Sequence, residues 1–149
     1  MRDKVIFLVI GIIISVLFFI FKITLYDADA FYIYSNGFSN DLGNLDGYTS
    51  VAVITIAMAW GGAAIYYYAI NSVKFDRWYH WLAMLGVVAV LTPVVDYFVT
   101  SSILDGKDYG SAILSFELHN IVFAAVMFVI ASFSMRWWSS NCRHTPIPQ

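Results

Sequence analysis

Thr92, Asp96, Glu117, His119 and Asn120 are the side chains in this sequence whose types and spacing could do chemistry. Asp96 and Glu117 are the acidic residues embedded in long apolar runs, and an ionised carboxylate in hydrocarbon costs several kcal/mol unless it meets protein, water or a partner. A carboxylate near an imidazole exchanges protons around neutral pH, so the group is a candidate proton or cation site. The structural alternative is plain: the same residues serve as interhelical hydrogen-bonding glue, or reach toward the outer headgroups. With no basic residue in the bilayer to neutralise both acids, at least one is expected to be protonated, solvated or hydrogen-bonded.

Other chemistries find little support. Glu117 and His119 lie two apart on a helix and point in different directions, while His80 and His144 belong to the other side of the membrane. No metal site is expected, and without two histidines at one depth no haem. No Ser stands in a GxSxG or SxxK context and no glycine-rich phosphate loop is present, so neither an enzyme nor a cofactor is expected. The single Cys142 excludes an internal disulfide or a CxxC pair.

The elements that would position these residues follow from composition. The chain has 149 residues, 60% hydrophobic and 12% charged, with mean hydropathy +0.73, against about 25% charged in soluble domains. It reads as a single all-α membrane domain. Apolar runs at 5–25, 48–70, 81–100 and 112–135 are each long enough to cross a bilayer of about 30 Å. Outer loops fall at 26–47 and 101–111, an inner loop at 71–80 and a tail at 139–149. A cleavable signal peptide is disfavoured, because the first apolar run exceeds the usual length of about 7–15 residues. Pro93 lies inside the third run and predicts a kink over 89–93.

Orientation comes from the basic residues near span ends. Arg2, Lys4, Lys74, Arg77, Arg136 and Arg143 share one side, whereas the other has Lys107, with Lys22 near the end of the first span. The positive-inside rule then predicts a four-helix bundle with both termini cytoplasmic, in a plasma membrane, a bacterial inner membrane being favoured. Trp78, Trp81, Trp137 and Trp138 fit the same inner interface. In this frame the third span runs outward and the fourth inward, which brings Asp96 and Glu117 to similar depth in the outer third.

Two further groups are candidates for contact. The centre of the second span carries Ala57, Gly61, Gly62, Ala63 and Ala64, and small residues four apart let a neighbouring backbone come close. This face serves either packing within one bundle or a homo-oligomer. Lys74, Arg77, Arg136, Trp137, Trp138 and Arg143 form a candidate docking surface for a soluble cytoplasmic partner. The acidic, aromatic outer loop, with Asp27, Asp29, Asp41 and Asp46 among tyrosines and phenylalanines, is either a recognition surface or a cap over the helix ends. With net charge −2 and no basic cluster, nucleic acid is not an expected direct partner, whereas membrane lipids are.

The layout of four spans in a small chain is similar to that of inner-membrane immunity proteins for pore-forming bacteriocins and of small membrane subunits of anti-phage systems. That resemblance implies a protein that works by binding others. The leading expectation is therefore a non-enzymatic membrane subunit that oligomerises and senses or docks partner proteins. The alternative is an ion- or proton-conducting pore lined by Asp96, Glu117 and His119 between subunits, with Thr92 and Asn120 in support.

Overall fold

A computed structural model describes residues 2–26, 36–70, 73–75, 77–105 and 107–139. Within them the chain is helical and forms no strand. Helix α1 (Arg2–Ile20) leads through a turn at Phe21 into the short α2 (Lys22–Tyr26). The turn does not end the hydrogen-bond ladder, because Phe21 N–H donates to the Leu17 carbonyl at 2.9 Å and Leu25 N–H to the Phe21 carbonyl at 3.0 Å. Helix α3 (Asn36–Asn44) follows, then α4 (Gly47–Ala64), α5 (Trp78–Ile103) and α6 (Gly110–Met135).

Three helical stretches are long and apolar enough to cross a membrane: Gly47–Ile70, Trp78–Ile103 and Gly110–Trp138. At 24, 26 and 29 residues, they are about 36 to 44 Å long at 1.5 Å per residue. The helical part of the first apolar run, Lys4–Ile20, is shorter. The third span begins and ends farther out than its hydropathy suggests, and α5 continues through Pro93 as one helix. There the ring leaves the Ala89 carbonyl without its usual donor, and one residue before it the Thr92 hydroxyl donates to the Val88 carbonyl at 2.7 Å.

Helices α4, α5 and α6 pack as a three-helix core, and α1 lies against α6 with a lighter contact to α4. The reason is written in the side chains of α1. Val5 through Phe21 is apolar almost throughout, yet only Gly11, Ser15 and Phe18 are buried. Gly11 lies where a Cβ would run into the Ser134 side chain of α6, so glycine permits the close approach there. Ser15 receives the Trp60 indole N–H at 2.9 Å, which answers the need of that deep ring for an acceptor.

At its C-terminal end α4 widens into a π-helical segment, Ile65–Ile70. The extra residue per turn carries Tyr66 and Tyr67 into the core while Tyr68 reaches the end of α6. Tyr68 donates to the Met135 carbonyl at 2.6 Å and Tyr66 to the Phe75 carbonyl at 2.9 Å. Lys4 Nζ donates to the Trp137 carbonyl at 3.1 Å, and Phe7 stacks on Trp137 at 5.2 Å. The start of α1 and the end of α6 are thereby tied together.

At the opposite end of the bundle α3 packs as a cap. It is polar on one side, but Phe38 and Leu42 on the other are fully buried. Phe38 packs edge-on against Tyr109 and Phe116, with ring centroids 5.7 and 5.8 Å apart. Between α3 and α4 the chain turns at Asp46, whose φ of 58° is left-handed, and Gly47 follows where Leu42 leaves no space for a Cβ. Asp41 then fastens α3 to the loop between α5 and α6: it accepts from Lys107 Nζ at 2.7 Å and from the Tyr109 hydroxyl at 2.7 Å. The half of the outer loop that includes Asp27 and Asp29 lies outside the described residues, as does the tail beyond Ser139.

The clamp on Asp41 makes a prediction about pH. Lys107 first, and Tyr109 after it, hold the Asp41 carboxyl below the usual carboxylate range. A depressed native pKa gives stability that is complete above the unfolded value of about 4 and is lost as pH falls through the native value. Tyr109 is pushed up by the Asp41 carboxylate, so its contribution is complete below about 10 and lost as pH rises through its own native value. Melting temperature in detergent, measured from pH 3 to 11 for the natural chain and Asp41→Asn, is expected to differ most between those limits. A difference that stays constant down to pH 3 would refute the clamp.

Candidate functional site

Four helices each place hydroxyl, amide or carboxyl groups at one level of the bundle. Along α5, Asp96 sits seven residues before the helix end; along α6, Glu117 sits seven after the start, so antiparallel packing brings both to about 10 Å from the outer helix ends. Asn120 follows Glu117 by three residues and shares its face, as Thr100 follows Asp96 by four. Thr55 enters from α4 and Tyr26 from the end of α2. All are buried: Asp96 and Asn120 are 0% exposed and Glu117 is 3% exposed.

Asn120 is the hub. Its Nδ2 donates to Asp96 Oδ2 at 2.6 Å and to Glu117 Oε2 at 3.3 Å, using both amide hydrogens. Its Oδ1 accepts from the Tyr26 hydroxyl at 2.8 Å and the Thr55 hydroxyl at 3.2 Å. The Thr100 hydroxyl donates to Glu117 Oε1 at 3.3 Å. Four polar neighbours therefore satisfy every donor and acceptor of one side-chain amide. Asp96 Oδ1 is buried and has no hydrogen-bond partner among the described residues.

No cationic side chain described here reaches this cluster. Lys107 is engaged with Asp41, Lys4 with the Trp137 carbonyl, and Lys22 lies over the Phe19 ring at 4.1 Å. Arg136 stacks over Trp137 at 4.1 Å and Phe133 at 5.4 Å; Lys74 and Arg77 are exposed near the inner turn. Two carboxyls thus share one amide in a low-dielectric interior with no compensating positive charge. Such an arrangement favours the uptake of a positive species, since two bare charges at this spacing repel strongly.

Aromatic rings pack beside the cluster. Tyr26 meets Phe116 at 5.5 Å and Phe123 at 4.9 Å, Phe116 meets Tyr48 at 6.2 Å, and Phe38 covers Phe116. On the flank, α5 and α6 leave an apolar groove of about 270 Å³ lined by Pro93, Tyr97, Leu114 and Leu118, with Glu117 on its wall.

Of the residues singled out by sequence, Asp96, Glu117 and Asn120 come together inside one chain rather than on a face between chains. Thr92 is buried one turn from Asp96 but bonds its own backbone. His119 is half-buried on another face, with Nδ1 2.8 Å from the Ser115 carbonyl, as its two-residue offset from Glu117 requires. Tyr26, Thr55 and Thr100 were not legible as site residues; each is a hydroxyl in or at the end of an apolar run, without a spacing signal.

The small residues of α4 divide. Gly62 and Ala63 are buried in the bundle, Gly62 against Val88 of α5, and Ala64 is half-buried. Ala57 is exposed, and above Gly61 there is open space. Among the candidate docking residues, Arg136 is buried and Trp137 is half-buried, tied to α1 through Lys4 and Phe7, whereas Lys74, Arg77 and Trp138 are exposed; Arg143 lies outside the described residues.

Replacing the hub tests its structural weight. Asn120→Leu keeps the volume but leaves Asp96, Glu117, Tyr26 and Thr55 without their shared partner, which is expected to cost about 1–3 kcal/mol. Equilibrium unfolding in mixed micelles measures this, and a change within error would show the network to be energetically idle. No family model, curated protein or solved structure matches this chain.

Proposed function

We propose that this protein is an ion-handling integral membrane protein that binds a small cation, proton or metal, at an occluded site formed by Asp96, Glu117 and Asn120. One observation carries the reading: two buried carboxyls share one amide, and no cationic side chain described here balances them. The enclosure argues for a carrier or an ion-coupled subunit over an open pore between copies, because Phe38, Phe116 and Tyr48 close the outer side.

The proposed topology is four crossings with the two ends of this chain on the cytoplasmic side. Its support is the helical ladder that runs on through Phe21 into α2, the bond from Lys4 to the Trp137 carbonyl, and the excess of Lys and Arg at that end. In this arrangement α3 and the Asp41 clamp face outward.

A second reading, a non-enzymatic subunit that associates with a copy of itself and docks a soluble protein, is favoured by the outward Ala57 and Gly61 of α4. Small residues four apart with open space above them let a second helix approach closely.

Reconstituted vesicles test the first reading. With an imposed electrical potential and a pH-sensitive dye, or a metal-sensitive dye for the other cation class, the natural chain is expected to move cations. The double variant Asp96→Asn, Glu117→Gln is expected to fall to the level of empty vesicles, and equal flux from both proteins would sink the proposal. For the second reading, Gly61→Ile is expected to abolish self-association measured by mass of the detergent-extracted complex. An unchanged mass distribution would remove α4 from the interface.

A further inference from the structure

We infer that the cation this site takes is the proton, and that Asn120 enforces the choice by filling the position between Asp96 and Glu117 that a metal ion would need. This deepens the reading above and rests on it.

The bridging position is where the two carboxyls converge, and it is held by a donor. Asn120 Nδ2 lies 2.6 Å from Asp96 Oδ2 and 3.3 Å from Glu117 Oε2, with both hydrogens engaged. A metal ion there would face N–H groups rather than lone pairs. The amide oxygen is turned the other way, toward Tyr26 and Thr55, so it adds no ligand between the acids. The Thr100 hydroxyl donates to Glu117 Oε1, and the Thr92 hydroxyl to the Val88 carbonyl. Calcium takes about six to eight oxygen ligands and magnesium about six, and a monovalent metal ion likewise replaces its water shell with several oxygens. The cluster offers one buried oxygen that is not already hydrogen-bonded, Asp96 Oδ1.

One unpartnered oxygen suits a proton. Protonation at a carboxylate oxygen forms one O–H bond, releases no group, and lowers the negative charge of the pair by one. The amide can stay where it is. The titratable groups around the pair are Tyr26 from α2, Tyr97 from α5, which lines the same groove as Glu117, and Tyr48 from α4, which lies against Phe116; α1 contributes none between Lys4 and Lys22, and His119 of α6 is bonded to the Ser115 carbonyl on another face. Protonation therefore occurs among acids and phenols, without a nearby base to compete for the proton.

The test is covalent labelling of the full chain in lipid vesicles with dicyclohexylcarbodiimide. This lipid-soluble reagent adds a protonated carboxyl across its carbodiimide bond, and acyl transfer from oxygen to nitrogen then leaves a stable N-acylurea with no leaving group. Peptide mass spectrometry locates the adduct. Labelling at Glu117, on the wall of the lipid-side groove, or at Asp96 is expected to fall as pH rises. At fixed pH and ionic strength it is expected to be the same in sodium, potassium or calcium chloride. Protection by any one of these ions at fixed pH would overturn the inference and leave the cation-site reading standing. Absence of labelling at every pH, together with absence of flux, would overturn both.

Two variants probe the role of the amide. Asn120→Asp replaces the donor with a third carboxyl, and Asn120→Ser vacates the bridge without adding charge. Each is expected to gain protection by sodium or calcium that the natural chain lacks. If both label as the natural chain does, with no metal protection, the amide does not set the selectivity.

Discussion

One side-chain amide holds two acids in the interior of this bundle. The amide of Asn120 gives its hydrogens to Asp96 and Glu117 and takes hydrogens from Tyr26 and Thr55, so α2, α4, α5 and α6 all meet at it. In an environment of low dielectric constant, an unmet polar group costs far more than a satisfied one returns. The relative positions of these helices are thus constrained by the reach of an asparagine. Apolar packing between lipid-bathed helices is not specific in this way, because lipid tails are as apolar as leucine.

Rings complete what the amide begins. Phe38, Phe116 and Tyr48 pack beside the cluster on the α3 side, with Tyr26 reaching into it, and the helix that contributes Phe38 is fixed by Asp41 with Lys107 and Tyr109. A charged clamp in contact with water and an uncharged stack beneath it act on one short helix. The clamp answers to salt and pH, whereas the stack answers to shape. The acids are thus covered on the α3 side by elements of quite different chemistry.

Much of this was legible in the sequence, and the limits have physical causes. Asp96, Glu117 and Asn120 stood out because charge and amide are costly in apolar runs, and antiparallel helices placed them at one depth. Tyr26, Thr55 and Thr100 did not stand out, since a lone hydroxyl in a membrane helix can always bond its own backbone, as Thr92 does. His119 looked like a partner by proximity in sequence, but helical geometry turns it to another face. The small residues of α4 read as one stripe, yet successive positions are rotated by about 100° around the helix. Gly62 and Ala63 therefore face inward while Ala57 and Gly61 face out. The apolar runs at 48–70, 81–100 and 112–135 match three helices long enough to cross a membrane, and the first run does not reach that length unbroken, because a turn at Phe21 divides it.

The light attachment of α1 bears on how the chain is made. Its main neighbour is α6, through Gly11 against Ser134, Phe18 against Phe123 and Phe7 against Trp137, and a ribosome synthesises α6 after α2 to α5. Until then α1 exists without its main neighbour. Its sequence suits that wait: from Val5 to Phe21 it has no charged side chain, and Ser15 can rest its hydroxyl on the Gly11 carbonyl at 2.9 Å within the same helix. A helix that is content alone can be an early arrival, and its docking against α6 has to wait until α6 is made.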